Sequence, residues 1–435
     1  MLAPGVSKED QPRMQNLPDD VLCKIFIRLQ ARLVAQMRCV SKPLNALLSQ
    51  PFFIKSHLNR SIDNHYKIPL IFGRLSRLHN KLFRVHPFQK CIQLPANAPS
   101  GHACCFITGS INGLVCFSSY RNPCVKGSIH IWNPSLSAFL TLSPGSNIHS
   151  EGFHVLVRFG FDPKTNDYKV VNLNFSEQGN TYTCYGGIFS CKKWLQVEVY
   201  SMRKGSWHSI TQRFPSHVTR IHYQNYLCAD GLDGHVYWVG DLGKERKLQT
   251  IVVFDLGAET FKEIALPDSI AYDNGNKLAV LGGNICLISS SGGREGQSEV
   301  WKMEKYGVAE SWVRTHIFPQ SCGILSPAGF TLSNDLLIVS KSEGQIAWYN
   351  LDTAKVKYID NNDDNMNNLH VPGTVNVWYI DSLVWVAPPK RSVGWKDGLH
   401  CDFKRWIGSK VNDKKWLQAF KRFICEEREG ENCRQ

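Results

Sequence analysis

Apolar residues follow two different periods along this chain, and the change of period divides it. Between residues 16 and 58 the spacing is helical. Val21, Leu22, Ile25, Phe26 and Leu29 fall at i, i+1, i+4, i+5 and i+8, which is one face of a helix. Pro18 suits the first turn, where its missing N–H would be unpaired anyway, and Asp19 and Asp20 suit the positive helix end. Leu33, Val34, Met37 and Val40, then Leu44, Leu47 and Leu48, give two more short stripes. Pro43 is expected to break or shift the start of the third helix, because it lacks a donor and restricts the residue before it. Three helices this short bury little surface among themselves. Their remaining apolar residues imply a partner, either another protein or the rest of the chain.

From about residue 68 to 388 the pattern becomes one of short strands separated by turns, and a unit repeats. An apolar strand follows Gly, Asn or Asp, as in NGLVCF (112–117), GHVYWV (234–239), GNICLI (283–288) and NDLLIV (334–339). A strand ending in an aromatic and a turn comes next: IHIWNP (129–134), VEVYSM (197–202), VVFDL (252–256), EVWKM (299–303) and IAWYNL (346–351). A short outer strand completes the unit, as in FLTL (139–142) and FKEIAL (261–266). Linking strands such as VLVRFGFDP (155–163) and KLAVLGG (277–283) lie between units. A repeat of roughly 40 to 60 residues is that of propeller blades, which bury their faces only by stacking on neighbours. Five repeats are clear. VNVWYIDSLVWV (375–386) and the segment at 68–86 are expected to close the ring, which makes six blades, with seven as the alternative. Trp132, Trp238, Trp301 and Trp348, in the middle of alternating strands, are expected to pack between blades.

Composition narrows the class. The 435 residues are 43% hydrophobic and include 12 Trp, 14 Tyr and 22 Phe, which describes a packed globular protein. The first 15 residues form a polar, flexible N-terminus with no apolar core, so no signal peptide is visible. No uninterrupted apolar run approaches a membrane span. The 15 cysteines show no CxxC or Cys/His ligand spacing and read as buried thiols in a reducing compartment. The expected location is therefore cytoplasmic or nuclear. A net charge of +13 raises nucleic acid as a partner, but the positives are spread out, with no arginine-rich tract or RNP-like strand. No nucleic acid is expected; an acidic protein target or simple surface bias accounts for the charge better.

Residues 16–60 resemble an F-box, the helical module that hooks a substrate receptor onto a Skp-type adaptor and a cullin ubiquitin ligase. Leu17-Pro18 opens the motif, and Arg38-Cys39-Val40-Ser41-Lys42 falls at its basic-Cys-Val-x-Lys signature. Phe52, Ile54 and His57-Leu58 match its closing segment. Leu44 stands where many members carry Trp, and Gln30 and Arg32 depart from the usual residues between the first two helices. The resemblance implies adaptor binding by Leu17, Pro18, Val21, Leu22, Ile25, Phe26, Leu29, Leu33, Cys39, Val40 and Lys42. Residues 159–171, FGFDPKTNDYKVV, with Gly109, Asn112-Gly113-Leu114-Val115 and Trp132-Asn133-Pro134, resemble the plant F-box-associated domain, a kelch-like propeller. This implies an all-α F-box followed by an all-β propeller over 68–388.

Sequence offers little chemistry. No GxSxG, HExxH, Walker loop or GxGxxG after a strand is present, and no metal or cofactor is expected. A non-catalytic ligase receptor fits best. The rivals are a binding scaffold with a degenerate F-box and a propeller enzyme such as a kelch-type oxidase. Insertions at 118–128, 174–193, 240–249 and 289–298 all fall between second and third strands, and so emerge on one face. Their aromatic and basic residues, Tyr120, Arg121, Tyr185, Lys192, Lys193, Arg246 and Lys247, are the candidate target-binding set, against the alternative of ordinary solvated loops. In the basic tail at 390–435, Trp416, Leu417, Phe420, Phe423 and Ile424 mark an amphipathic helix, either docked on the propeller or free for a membrane surface or partner.

Overall fold

The computed structural model describes residues 17–386 apart from 64–66, 73–81, 86–89, 94–103, 121–127, 143–144, 146–152, 178–187, 223–233, 244–247, 268, 271–275, 290–296, 320–324, 331–333, 341–345 and 359–374. The chain begins with four helices, α1 (Asp19–Phe26), α2 (Ala31–Arg38), α3 (Lys42–Leu48) and α4 (Pro51–Asp63). Pro43 does not break α3. It occupies the first turn, while the Ser41 hydroxyl accepts a hydrogen bond from the Leu44 N–H at 3.3 Å and caps the helix. The fourth helix was not expected from the apolar period. Phe53, His57, Leu58 and Ser61 form its buried stripe, and His57 Nε2 donates to the Leu29 carbonyl at 2.8 Å.

The remainder folds into six four-stranded antiparallel blades, the third and fourth of them joined into one eight-stranded sheet. Blade I contains β1 (Lys67–Phe72), β2 (Leu82–Val85) and β3 (Lys90–Gln93). Blade II contains β4 (Cys104–Ile111), β5 (Leu114–Tyr120), β6 (Ser128–Asn133) and β7 (Ala138–Thr141). Blade III contains β8 (Phe153–Asp162), β9 (Asp167–Glu177), β10 (Ile188–Ser201) and β11 (Ser206–Ser209), and blade IV contains β12 (Val218–His222), β13 (His235–Leu242), β14 (Leu248–Asp255) and β15 (Thr260–Ala265). Blade V contains β16 (Lys277–Leu281), β17 (Asn284–Ser289), β18 (Gln297–Met303) and β19 (Trp312–Pro319), and blade VI contains β20 (Leu325–Phe330), β21 (Leu336–Ser340), β22 (Ile346–Tyr349) and β23 (Val356–Tyr358). A last strand, β24 (Val375–Ile380), pairs with β1 from Lys67↔Ile380 to Phe72↔Val375 and becomes the inner strand of blade I. One sheet thus joins both ends of the propeller, as the aromatic run at 375–386 leads one to expect. The linking strands of the sequence pattern are the first strands of their blades.

Apolar clusters lie between blades, not within them. Leu114, Ile131, Phe159 and Val170 join blades II and III; Tyr237, Ile251, Leu287 and Trp312 join IV and V; Ile288, Val300, Leu336 and Ile338 join V and VI. Trp132 and Trp238 are buried in a further cluster that spans blades II to IV, and Trp301 in the layer between IV and V, whereas Trp348 is only half-buried, under Lys357. Blades III and IV are also continuous as sheets, because β10 extends to pair with β12 at Ile188↔His222. Turns between first and second and between third and fourth strands occupy one end of the propeller. Loops between second and third strands occupy the opposite end, together with the connections between blades. These two ends are called the turn face and the loop face below. The helix expected within 390–435 lies outside the described residues.

Candidate functional site

The residues implicated in adaptor binding separate into two groups. Leu22, Phe26 and Leu29 are buried with Val34, Met37, Leu48 and Phe53 in the core of the helical module. Leu17, Val21, Ile25 and Leu33 are half-buried, and Pro18, Cys39, Val40 and Lys42 are exposed. Val40 is 59% exposed and Phe52, from the closing segment, 55%, whereas most other large apolar side chains among the described residues are covered. The first group can support a surface but cannot itself be reached by a partner; the others can be touched.

On its other side the module is fixed to the turn face. No acidic residue stands in the first turn of α2, and its N-cap position, Gln30, supplies no side-chain hydrogen bond. Asp381, just beyond β24, does this instead: its Oδ2 accepts the Ala31 N–H at 2.6 Å, and its Oδ1 accepts the Ser135 hydroxyl at 2.7 Å. Asn133 Nδ2 donates to the carbonyls of Ser382 (3.0 Å) and Val384 (2.7 Å), and Leu383 inserts into the helical core beside Leu136. Gly113 borders the same joint. At φ +81°, an added Cβ would lie 2.3 Å from the Ser382 Cβ and 2.4 Å from the Ile380 carbonyl, so only glycine fits.

The FGFDPKTNDYKVV segment is a structural staple. Asp162 accepts from the Lys164 and Thr165 amides at the β8–β9 turn, and Asp167 accepts from the Ser201 hydroxyl and the Arg203 amide. The Tyr168 hydroxyl accepts from Asn112 Nδ2 of blade II at 3.2 Å. Lys169 Nζ reaches blade IV, donating to the Leu256 carbonyl and pairing with Glu259 at 3.0 Å and Asp162 at 3.3 Å. One short segment therefore ties three blades together.

Of the candidate target-binding residues, Lys192 and Lys193 lie exposed on β10. Tyr120 ends β5 with its side chain outside the described residues, and Arg121, Tyr185, Arg246 and Lys247 lie outside them altogether. Lys192 and Lys193 border a cleft of about 730 Å³ on the loop-face side between blades III and IV, lined also by Gln212–Thr219 and Phe261–Glu263. The cleft is formed by the β11–β12 connection, for which the sequence pattern carries no signal.

A buried polar cluster in blade IV was also not legible. Asp241 accepts from His222 Nε2 at 2.6 Å and from Gln249 Nε2 at 3.0 Å, and Asn276 donates to Gln249 Oε1 at 2.8 Å. It crosslinks β12, β13, β14 and the approach to β16. Polar residues interrupting apolar strands were the only available hint. Among the described residues no group of three or more His, Cys, Asp or Glu could hold a metal ion. Cys23, Cys39, Cys116, Cys191 and Cys286 are outside any disulfide, and burial pushes the Cys116 and Cys191 thiols up to about 12. Among the described residues no helix is long and apolar enough to cross a membrane.

Comparison with known proteins places both halves. Residues 14–56 match the F-box domain, and residues 78–376 match the F-box associated beta propeller domain. Arabidopsis thaliana F-box protein CPR1 is 26% identical over 367 residues, covering 79% of this chain and 84% of that protein. An F-box/kelch-repeat protein of the same plant is 24% identical over 358 residues, covering 79% and 90%. With a helical module joined to a six-bladed ring, and with family matches over most of its length, the chain belongs to the F-box proteins that carry an F-box-associated β-propeller domain.

Proposed function

We propose that this protein is the non-catalytic substrate receptor of a Skp–cullin–F-box ubiquitin ligase. Leu17, Pro18, Val21, Ile25, Leu33, Cys39, Val40 and Lys42 contact the Skp-type adaptor, Leu22, Phe26 and Leu29 hold them in shape, and the propeller presents a protein target. The observation that carries this reading is the two-sided helical module: one side is bolted to the turn face through Asp381 and Leu383, while Val40 and Phe52 stand exposed. Exposed large apolar groups on a module with its own core are what a partner surface looks like. A receptor positions its target and leaves ubiquitin chemistry to other subunits, with degradation of the target as the consequence.

The test is adaptor co-purification with the double variant Leu17→Ala, Pro18→Ala. We expect retention of the adaptor to fall at least about tenfold, corresponding to roughly 1.4 kcal/mol, while the propeller keeps its melting transition. Undiminished retention sinks the adaptor assignment. Loss of the transition as well would show that the pair is structural.

A further inference from the structure

The cleft between blades III and IV has a charge pattern that its own fold does not use. Lys192, Lys193, Arg213 and Lys262 line it and are exposed, and none has a carboxylate partner among the described residues. Successive residues on a strand normally face opposite ways, but β10 carries a bulge between Cys191 and Lys193, so both lysines are exposed. The one carboxylate among the described lining residues, Glu263, is already engaged with His217 Nε2 at 2.8 Å. The lining also contains a buried aromatic cluster. Trp194 and Phe214 have ring centroids 4.3 Å apart, Phe214 and Phe261 are 5.4 Å apart, and Trp194 Nε1 donates to the Val218 carbonyl at 2.7 Å.

We propose that this cleft takes an acidic, extended peptide segment of the target protein. The proposal rests on the receptor reading above and names the chemistry of its target. The cations come from three separate segments of the lining, β10, the β11–β12 connection and β15, which matches a string of Asp and Glu side chains better than one compact dianion. Only one of the four is an arginine, so the bidentate clusters that grip phosphate are missing. Single-stranded nucleic acid is the other polyanion of this reach, but it needs exposed rings for its bases to stack on. Here Trp194, Phe214 and Phe261 are all buried. The cleft also lies away from the helical module, toward the opposite face, where a captured segment leaves the adaptor surface clear.

The test uses the full chain, alone and with the adaptor, and a fluorescently labelled Asp/Glu-rich peptide, read by anisotropy at low and at physiological salt. Binding is expected at low salt and should weaken as salt rises, because rim charges are screened. The variant Lys192→Glu, Lys193→Glu, Lys262→Glu should lose on the order of tenfold or more in affinity. Glu263→Gln, which removes the only negative charge among the described lining residues, should bind several-fold tighter, so the proposal does not depend on the reversal variant folding. No binding by the wild type at low salt, or equal binding by the variants, overturns the proposal. So does preference for a phosphoserine-only peptide or for single-stranded RNA at the same site. A chain that binds the peptide but not the adaptor keeps the cleft and loses the ligase reading; one that binds the adaptor but not the peptide does the reverse.

Discussion

Single residues explain why the repeat unit looks as it does. In blades II, III, IV and VI a polar residue at the end of the third strand is a turn cap. Asn133 accepts from the Leu136 amide, Ser201 from Lys204, Asp255 from Gly257 and Ala258, and Asn350 from Thr353. Four positions after each cap the backbone enters the left-handed region, at Ser137, Gly205, Glu259 and Ala354. Only Gly205 is suited to it. Ala354 is exposed at φ 53°, where an L side chain costs roughly 1–2 kcal/mol. Ala354→Gly should therefore stabilise the protein by about 0.5–1 kcal/mol, after the unfolded-chain entropy of glycine is subtracted. The denaturant midpoint measures this, and an unchanged or lower midpoint contradicts it.

Among elements, α2 is the informative one. Its eight residues lack a local cap, and a helix this short is marginal without tertiary support. Asp381, 350 residues away in sequence, provides that support and also holds Ser135 on blade II. Asp381→Ala should cost about 1 kcal/mol, the usual value of a lost cap. It should also raise the protease sensitivity of α1–α4 while leaving the propeller transition in place. If the helices stay as protected as in the wild type, the joint does not depend on this carboxylate.

At the scale of the whole molecule, the carboxylates at blade junctions couple stability to pH. Burial alone would raise the Asp162 carboxyl. Hydrogen bonds from Thr165 and Lys164 and the Lys169 charge outweigh it, and hold this group below its ordinary value. Glu259 behaves alike: burial opposes, while His208 and Lys169 prevail. A depressed folded value contributes stability that is present above the unfolded value, near 3.9 for Asp and 4.3 for Glu, and is lost as pH falls through the folded one. Stability should therefore drop below about pH 4, and Asp162→Asn should flatten that acid limb while lowering stability at neutral pH. A melting series from neutral to acid pH decides it; an unaltered acid limb in the variant would assign the loss to other groups.

What sequence alone determined was whatever has a short period or a local motif. The stripe from Val21 to Leu29, the alternating strands and the third strands ending in an aromatic and a turn repeat within a few residues, so helices, blades and the closing segment at 375–386 were legible. FGFDPKTNDYKVV marked the domain, though not that Lys169 reaches Leu256 or that Asn112 reaches Tyr168. The fourth helix escaped because its buried stripe mixes Phe53 and Leu58 with His57 and Ser61, which a count of apolar residues misses. Only the tertiary structure decided which adaptor-motif residues are core and which are surface, since Leu22 and Val40 are equally apolar as letters. It alone produced the Asp381 cap, the His222–Asp241 pair and the basic cleft. The Asp381 cap and the cleft join elements far apart in sequence and depend on how blades close around an axis, while the His222–Asp241 pair depends on the register of neighbouring strands; no local spacing records either.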